Sequence, residues 1–140
     1  MRVRLIVADQ SEARFYDLDG IDSHLQAAGK LQDLHSPSDR MALAETGGKV
    51  ASAAHAPAEP RPRKDAAMRF ARQIGAELES ARRSGGFDRI VLLAGPSFIG
   101  LLRSALPQGV RAVLMAEVRK DLLGEEESLI QAYVPPEAFE

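Results

Sequence analysis

Apolar residues fall along this chain in two different rhythms. Val3–Ala8 is an almost unbroken apolar run rich in β-branched residues. A strand covered on both faces needs no polar alternation, so this run predicts a buried central strand. Asp9-Gln10-Ser11 supplies a turn, and residues 13–18 predict a second strand in which Phe15 and Tyr16 favour the extended state. Asp19-Gly20 marks another turn. Residues 24–34 predict a third strand, with Leu25, Ala27, Gly29 and Leu31 on one face at period two. Three strands joined by short turns predict an antiparallel meander.

The rhythm then breaks. Residues 36–63 contain Pro37, Gly47, Gly48, Pro57, Pro60 and Pro62. A short helix is predicted near Pro37, with Ser36 as its cap and Asp39 three residues on. The rest of the segment has no periodicity and reads as a long flexible loop, of the kind that is functional or disordered in compact domains. From residue 64 to 83 the step becomes three and four. Ala67, Phe70, Ala71, Ile74, Leu78 and Ala81 share one helical face, and Ser84-Gly85-Gly86 ends it. Arg89–Ala94 predicts a second buried strand. Gly95-Pro96-Ser97 turns into a helix carrying Phe98, Leu101, Leu102, Ala105 and Leu106 inward, up to Pro107. Residues 110–118 predict a fifth strand. A last helix is predicted from Glu125, carrying Leu129, Ile130 and Tyr133 until Pro135-Pro136 stops it. The order βββαβαβα predicts one three-layer α/β domain over residues 1–140. Its five-stranded mixed sheet has the second strand antiparallel, the element order of ribonuclease H-like folds.

Composition narrows the chemistry. The chain has 140 residues and no cysteine, which excludes a disulfide framework, a thiolate zinc site and a cysteine nucleophile. Tryptophan is absent and aromatics are 5%, so a base-stacking platform is not indicated. Net charge is −2, which argues against a uniformly basic nucleic-acid binder. The charge is uneven: residues 117–140 hold seven acids and two bases, net −5, leaving +3 for the rest. No signal-peptide core or long apolar stretch occurs, which predicts a cytoplasmic protein without membrane contact.

Two regions could carry function. At the C-terminal edge of the parallel strands, where open α/β sheets bind ligands, the order of elements places Asp9, Ser97 and Arg103, with Lys120 and Asp121 after the fifth strand. Such a set could hold an anion or a metal. The structural alternative has Ser97 capping its helix, with Lys120 and Asp121 pairing with neighbours such as Arg103. A two-metal nuclease needs several carboxylates; beyond Asp9 and Asp121 no third presents itself. His24, His35 and His55 show no ligand spacing and read as surface or loop histidines, so no metal or cofactor is expected. Neither a nucleophile elbow nor a Walker loop is present. The second region is the loop at Gly47, Gly48 and Lys49, followed by Arg61, Arg63, Lys64, Arg69 and Arg72. Adjacent glycines allow close backbone approach, and the cations suit phosphate contact.

Several short motifs occur together and in order. They are Leu5-Ile6-Val7-Ala8-Asp9 with Ala13-Arg14-Phe15-Tyr16, then Phe70-Ala71, then Leu92-Leu93-Ala94-Gly95-Pro96. Ile99-Gly100-Leu101-Leu102-Arg103 with Leu106, and finally Lys120-Asp121-Leu122, complete the set. With this spacing over residues 3–134 the chain resembles the bacterial host attachment protein family (protein required for attachment to host cells). Where that family usually has Ala-Pro, this chain has Gly95-Pro96, and Leu123 stands where a threonine often follows. The family is in turn similar to the central domain of archaeal and eukaryotic peptide-chain release factors. In those proteins a Gly-Gly-Gln loop between strand and helix reaches the ribosomal peptidyl-transferase centre. Gly47-Gly48 lies in the corresponding loop, with Lys49 in place of the glutamine, and Met68-Arg69-Phe70-Ala71-Arg72 resembles the helix that follows. The resemblance implies a release-factor-like fold and a role in translation as a non-enzymatic RNA- or ribosome-interacting module. One alternative is a peptidyl-tRNA ester hydrolase or metal-dependent nuclease. Another is a structural protein with a protein partner and an indirect role in attachment.

Overall fold

The computed structural model describes residues 1–33 and 60–140, with side chains for 1–33 and 65–140. Five strands form one sheet: β1 (Val3–Ala8), β2 (Glu12–Leu18), β3 (Gln26–Gln32), β4 (Arg89–Ala94) and β5 (Leu114–Arg119), in the order β3-β2-β1-β4-β5. β1 pairs antiparallel with β2 and parallel with β4, and β5 adds parallel to β4. β3 is antiparallel to β2, so β2 alone runs against the others. This is the mixed α/β sheet expected from the element order.

Helices cover both faces, and the strand pattern explains why. On one face Ile6, Ala8, Phe15, Ile90, Leu92 and Ala94 pack beneath α1 (Pro60–Arg83) and α2 (Pro96–Ala105). On the other, Leu5, Val7, Tyr16, Val91 and Leu93 meet Leu122, Ile130, Val134 and Ala138. Alternate residues of β1 and β4 thus enter opposite cores, which is why both strands read as continuous apolar runs. Arg4 is the polar exception in β1. Its guanidinium holds both Asp17 oxygens, at 2.8 and 3.0 Å, and lies 5.2 Å from the Phe87 ring centroid.

Four details differ from the periodicity. In β3, Phe15 faces Gly29 while Tyr16 faces Ala27, so Ala28 is an extra residue in a bulge, and Gly29 adopts φ 135°. The bulge reverses the parity of the strand: Leu25 joins the Tyr16 core, whereas Ala28 and Leu31 pack on the Phe15 side. Residues 25–31 therefore do not share one face. Residues 110–118 are not one strand. Pro107 caps a helical turn, α3 (Gln108–Arg111), which buries Val110 completely, and β5 begins only at Leu114. The last helix, α4 (Glu127–Ala132), starts two residues late because Gly124, at φ 88°, closes a turn from Leu122 to Glu125. Of the three apolar residues assigned to it from the sequence only Ile130 is buried; Leu129 and Tyr133, the latter at the C-cap, are exposed.

The fourth difference concerns α1. It begins at Pro60, four residues before Lys64, because prolines are tolerated in a first helical turn. Its end is capped as expected, with Gly86 N–H on Ala81 O at 2.8 Å and Gly85 at φ 77°. The helix predicted near Pro37, the loop residues Gly47, Gly48 and Lys49, and His35 and His55 lie outside the described residues. Among the described residues no helix is long and apolar enough to cross a membrane.

Candidate functional site

The hairpin β1–β2 and the junction β4–α2 meet at one edge of the sheet. Asp9 closes the hairpin: its Oδ1 accepts from the Ser11 and Glu12 amides at 2.8 and 2.9 Å and from Ser11 Oγ at 3.2 Å. Asp9 N–H donates to Glu12 O at 2.9 Å. Opposite, Gly95 caps α2 through its own carbonyl, which accepts from Phe98 and Ile99 N–H at 3.1 and 3.0 Å. Beyond β5, Asp121 Oδ1 accepts from Leu123 N–H at 3.3 Å.

These turns enclose an open cavity of about 310 Å³. Asp9, Gln10 and Ser11 line it from the hairpin, Gly95, Ser97 and Phe98 from the α2 junction, and Asp121 from the end of β5. Three of the five sequence-predicted edge residues therefore come together: Asp9, Ser97 and Asp121. The other two turn elsewhere. Arg103 pairs with Glu117 at 3.2 Å, bridging α2 to β5. Lys120 places its ammonium 5.9 Å from the Tyr133 ring centroid. Ser97 does not cap α2, since Gly95 holds the cap position and no side chain bonds there. Asp121 is not the partner of Arg103. Among the described residues no group of three or more His, Cys, Asp or Glu is placed to hold a metal.

Gln10, Ser11 and Phe98 are cavity residues that the sequence reading did not single out. A usable signal existed. The turn after a central strand and the turn after its parallel neighbour must lie at the same sheet edge, so the whole of Asp9-Gln10-Ser11 belonged with Gly95-Pro96-Ser97.

The second region is α1. Ala66, Ala67, Phe70, Ala71, Ile74 and Leu78 are buried, and Phe70 stacks on Phe98 with centroids 6.3 Å apart. Halfway along, Gly75 lets α2 approach so closely that a Cβ there would sit 2.8 Å from Ala105 O. At 24 residues, α1 is about 36 Å long, against about 20 Å for a six-residue strand. Its end is tied to β4 by a short turn, so the excess length falls at its start, toward the edge that holds the cavity.

Charge divides this helix. Residues 60–72 hold five bases and one acid, Asp65, and the first turn contains no acid. Arg69 and Arg72 are exposed and make no ion pair among the described residues. The side chains of Arg61, Arg63 and Lys64 lie outside the described set, although their backbone is helical. The second half is balanced. Glu79 accepts from Arg82 at 3.0 Å and from Arg83 at 2.9 Å. The hydrogen bond from Arg82 is the largest influence holding the Glu79 carboxyl below the ordinary glutamate value.

A family model described as "Protein required for attachment to host cells" matches residues 5–134. No curated protein matches the chain. Among solved structures it is similar to an archaeal translation termination factor, aRF1, with TM-score 0.56 and 13% identity over 96% of this chain. It is also similar to a structure described only as an archaeal protein, with TM-score 0.56 and 15% identity over 99% of this chain. In both cases it spans 35% of the other chain, about a third of its length. At such identity the likeness is one of fold.

Proposed function

Because the chain belongs to the family of proteins required for attachment to host cells, we propose that it acts as a non-enzymatic, cytoplasmic module engaging RNA or the ribosome through the first half of α1. The observation that carries this reading is charge placed against its own helix. Cations near a helix N-terminus oppose the macrodipole, at about 0.3–1 kcal/mol for each one in the first turn. Arg61 and Arg63 fall in that turn and Lys64 follows directly, while Arg69 and Arg72, further along the helix, stand exposed without ion partners among the described residues. A polyanion offsets that repulsion and releases its own counterions on binding.

The fold supports the same partner class. The translation termination factor shares it, and Gly47, Gly48 and Lys49 stand in the sequence segment that precedes α1. The termination factor is about three times longer, so only a surface, and no activity, is transferred.

Cosedimentation with ribosomes and filter binding to RNA across a salt series test the proposal. Binding is expected at low salt and should weaken steeply as salt rises. Replacing Lys49, Arg69 and Arg72 together by glutamine should lower the logarithmic salt slope by roughly two, at about 0.7–0.9 per lost phosphate contact. Absence of RNA and ribosome binding at low salt would refute the reading.

A further inference from the structure

The cavity at the sheet edge lies at a topological switch point. β1 and β4 are parallel neighbours, yet β1 leaves its C-terminal end toward β2 and β4 leaves through α2 toward β5. Chains departing in opposite directions open a crevice, the place where open α/β sheets take ligands. Its volume of about 310 Å³ matches the small end of ligand sites.

Its chemistry selects the ligand. Two carboxylates, Asp9 and Asp121, line it, and no Lys or Arg does so among the described residues. The α2 terminus offers an anion only the Ser97 N–H, because Pro96 has no N–H and the Phe98 and Ile99 amides donate to Gly95 O, and the two carboxylates repel an anion there. Two carboxylates alone fall short of a metal-binding group, and Phe98, 1% exposed and stacked on Phe70, anchors the α2 side of the cavity in the core. We infer that this cavity binds an organic cation, an ammonium or guanidinium carried on a short aliphatic stem, with Asp9 and Asp121 as its counter-charges.

Gly95 provides a separate line of support. Its φ of −65° and ψ of 160° suit any residue, so the backbone does not require glycine there. An added Cβ would lie 3.7 Å from the Asp121 Cβ, an ordinary contact. The missing methyl therefore leaves room beside the carboxylate without being needed for folding. This inference is independent of RNA binding by α1.

The experiment is an amide-resolved NMR titration of the full chain with agmatine, with capped arginine amide and with inorganic phosphate. Agmatine should give saturable shifts at Ser11, Ser97, Phe98 and Asp121, whereas phosphate should leave these residues unmoved. Tighter saturation by capped arginine would assign the cation to a peptide side chain, and tighter saturation by agmatine to a free small-molecule amine. Asp9→Asn keeps the acceptor for the Ser11 and Glu12 amides while removing charge. Combined with Asp121→Asn it should weaken binding roughly tenfold. Gly95→Ala, which the backbone tolerates, should weaken it with the thermal midpoint unchanged. Unsaturable agmatine shifts, shifts identical in the Asn variants, or phosphate binding at these amides would overturn the assignment.

Discussion

Glu79 in the second half of α1 pairs with both Arg82 and Arg83 one turn on, whereas Arg69 and Arg72 in the first half face solvent without ion pairs among the described residues. Both halves bury the same kind of stripe: Ala66, Ala67, Phe70 and Ala71 in the first, Ile74 and Leu78 in the second. The apolar stripe therefore holds the helix to the sheet along its length, and the charge pattern is free to differ. Local neutralisation marks charges that serve the fold. Exposed cations without ion partners, such as Arg69 and Arg72, serve no such purpose, and their field attracts an external anion.

The comparison breaks most completely at Phe70. Phe70→Ala removes a fully buried ring and its stack on Phe98, and should cost about 3–5 kcal/mol in denaturant unfolding. Hydrogen exchange should then show protection lost first over residues 66–72, with residues 77–83 following only on global unfolding. Uniform loss along the helix would mean that its two halves do not open separately.

Gly75 marks the boundary between the halves and gives a test of sign. Glycine to alanine inside a helix ordinarily gains about 1 kcal/mol. Here the new Cβ would press on Ala105 O, and overpacking costs about 1–3 kcal/mol. Gly75→Ala should therefore be destabilising, by about 1 kcal/mol, and a rise in thermal midpoint would show that α2 moves aside freely.

Smaller effects sharpen the contrast between the charges. Arg72→Gln should change stability by less than about 0.5 kcal/mol, as an exposed and unpaired position should, while lowering RNA affinity. Arg82→Gln should lower the thermal midpoint more than Arg72→Gln does, since it removes the main partner of Glu79. The smallest effect is a pH dependence. The folded carboxyl of Glu79 lies below its ordinary value, so its contribution is complete above about pH 4.3 and fades as pH falls through the lowered folded value. Glu79→Gln should flatten the stability curve in that acid window and lower it by a pH-independent amount near neutrality.

The candidate edge site was half legible. Asp9, Ser97 and Asp121 follow from strand order alone, because each lies just after a parallel strand. Arg103 and Lys120 sit close to them in sequence, yet long side chains choose partners by space: Glu117 for one, the Tyr133 ring for the other. The α1 face is the reverse case, since its apolar stripe is written in a three-and-four rhythm that local spacing reveals and its cations stand close together in the sequence.

What the sequence determined by itself is whatever depends on local period. β1 and β4 have the bounds that their apolar runs predict, α1 follows its stripe, and the ordered motifs mark the family. Only the tertiary structure decided features in which a residue answers to a distant partner. The bulge at Ala28, beside Gly29, lets Leu25 and Leu31 reach opposite cores. Val110 folds into a helical turn because a buried site awaits it beneath the sheet. Strand and helix propensities differ by about 1 kcal/mol or less per residue, whereas burying a large apolar side chain is worth about 1.5–3 kcal/mol, so packing overrides local preference wherever the two disagree.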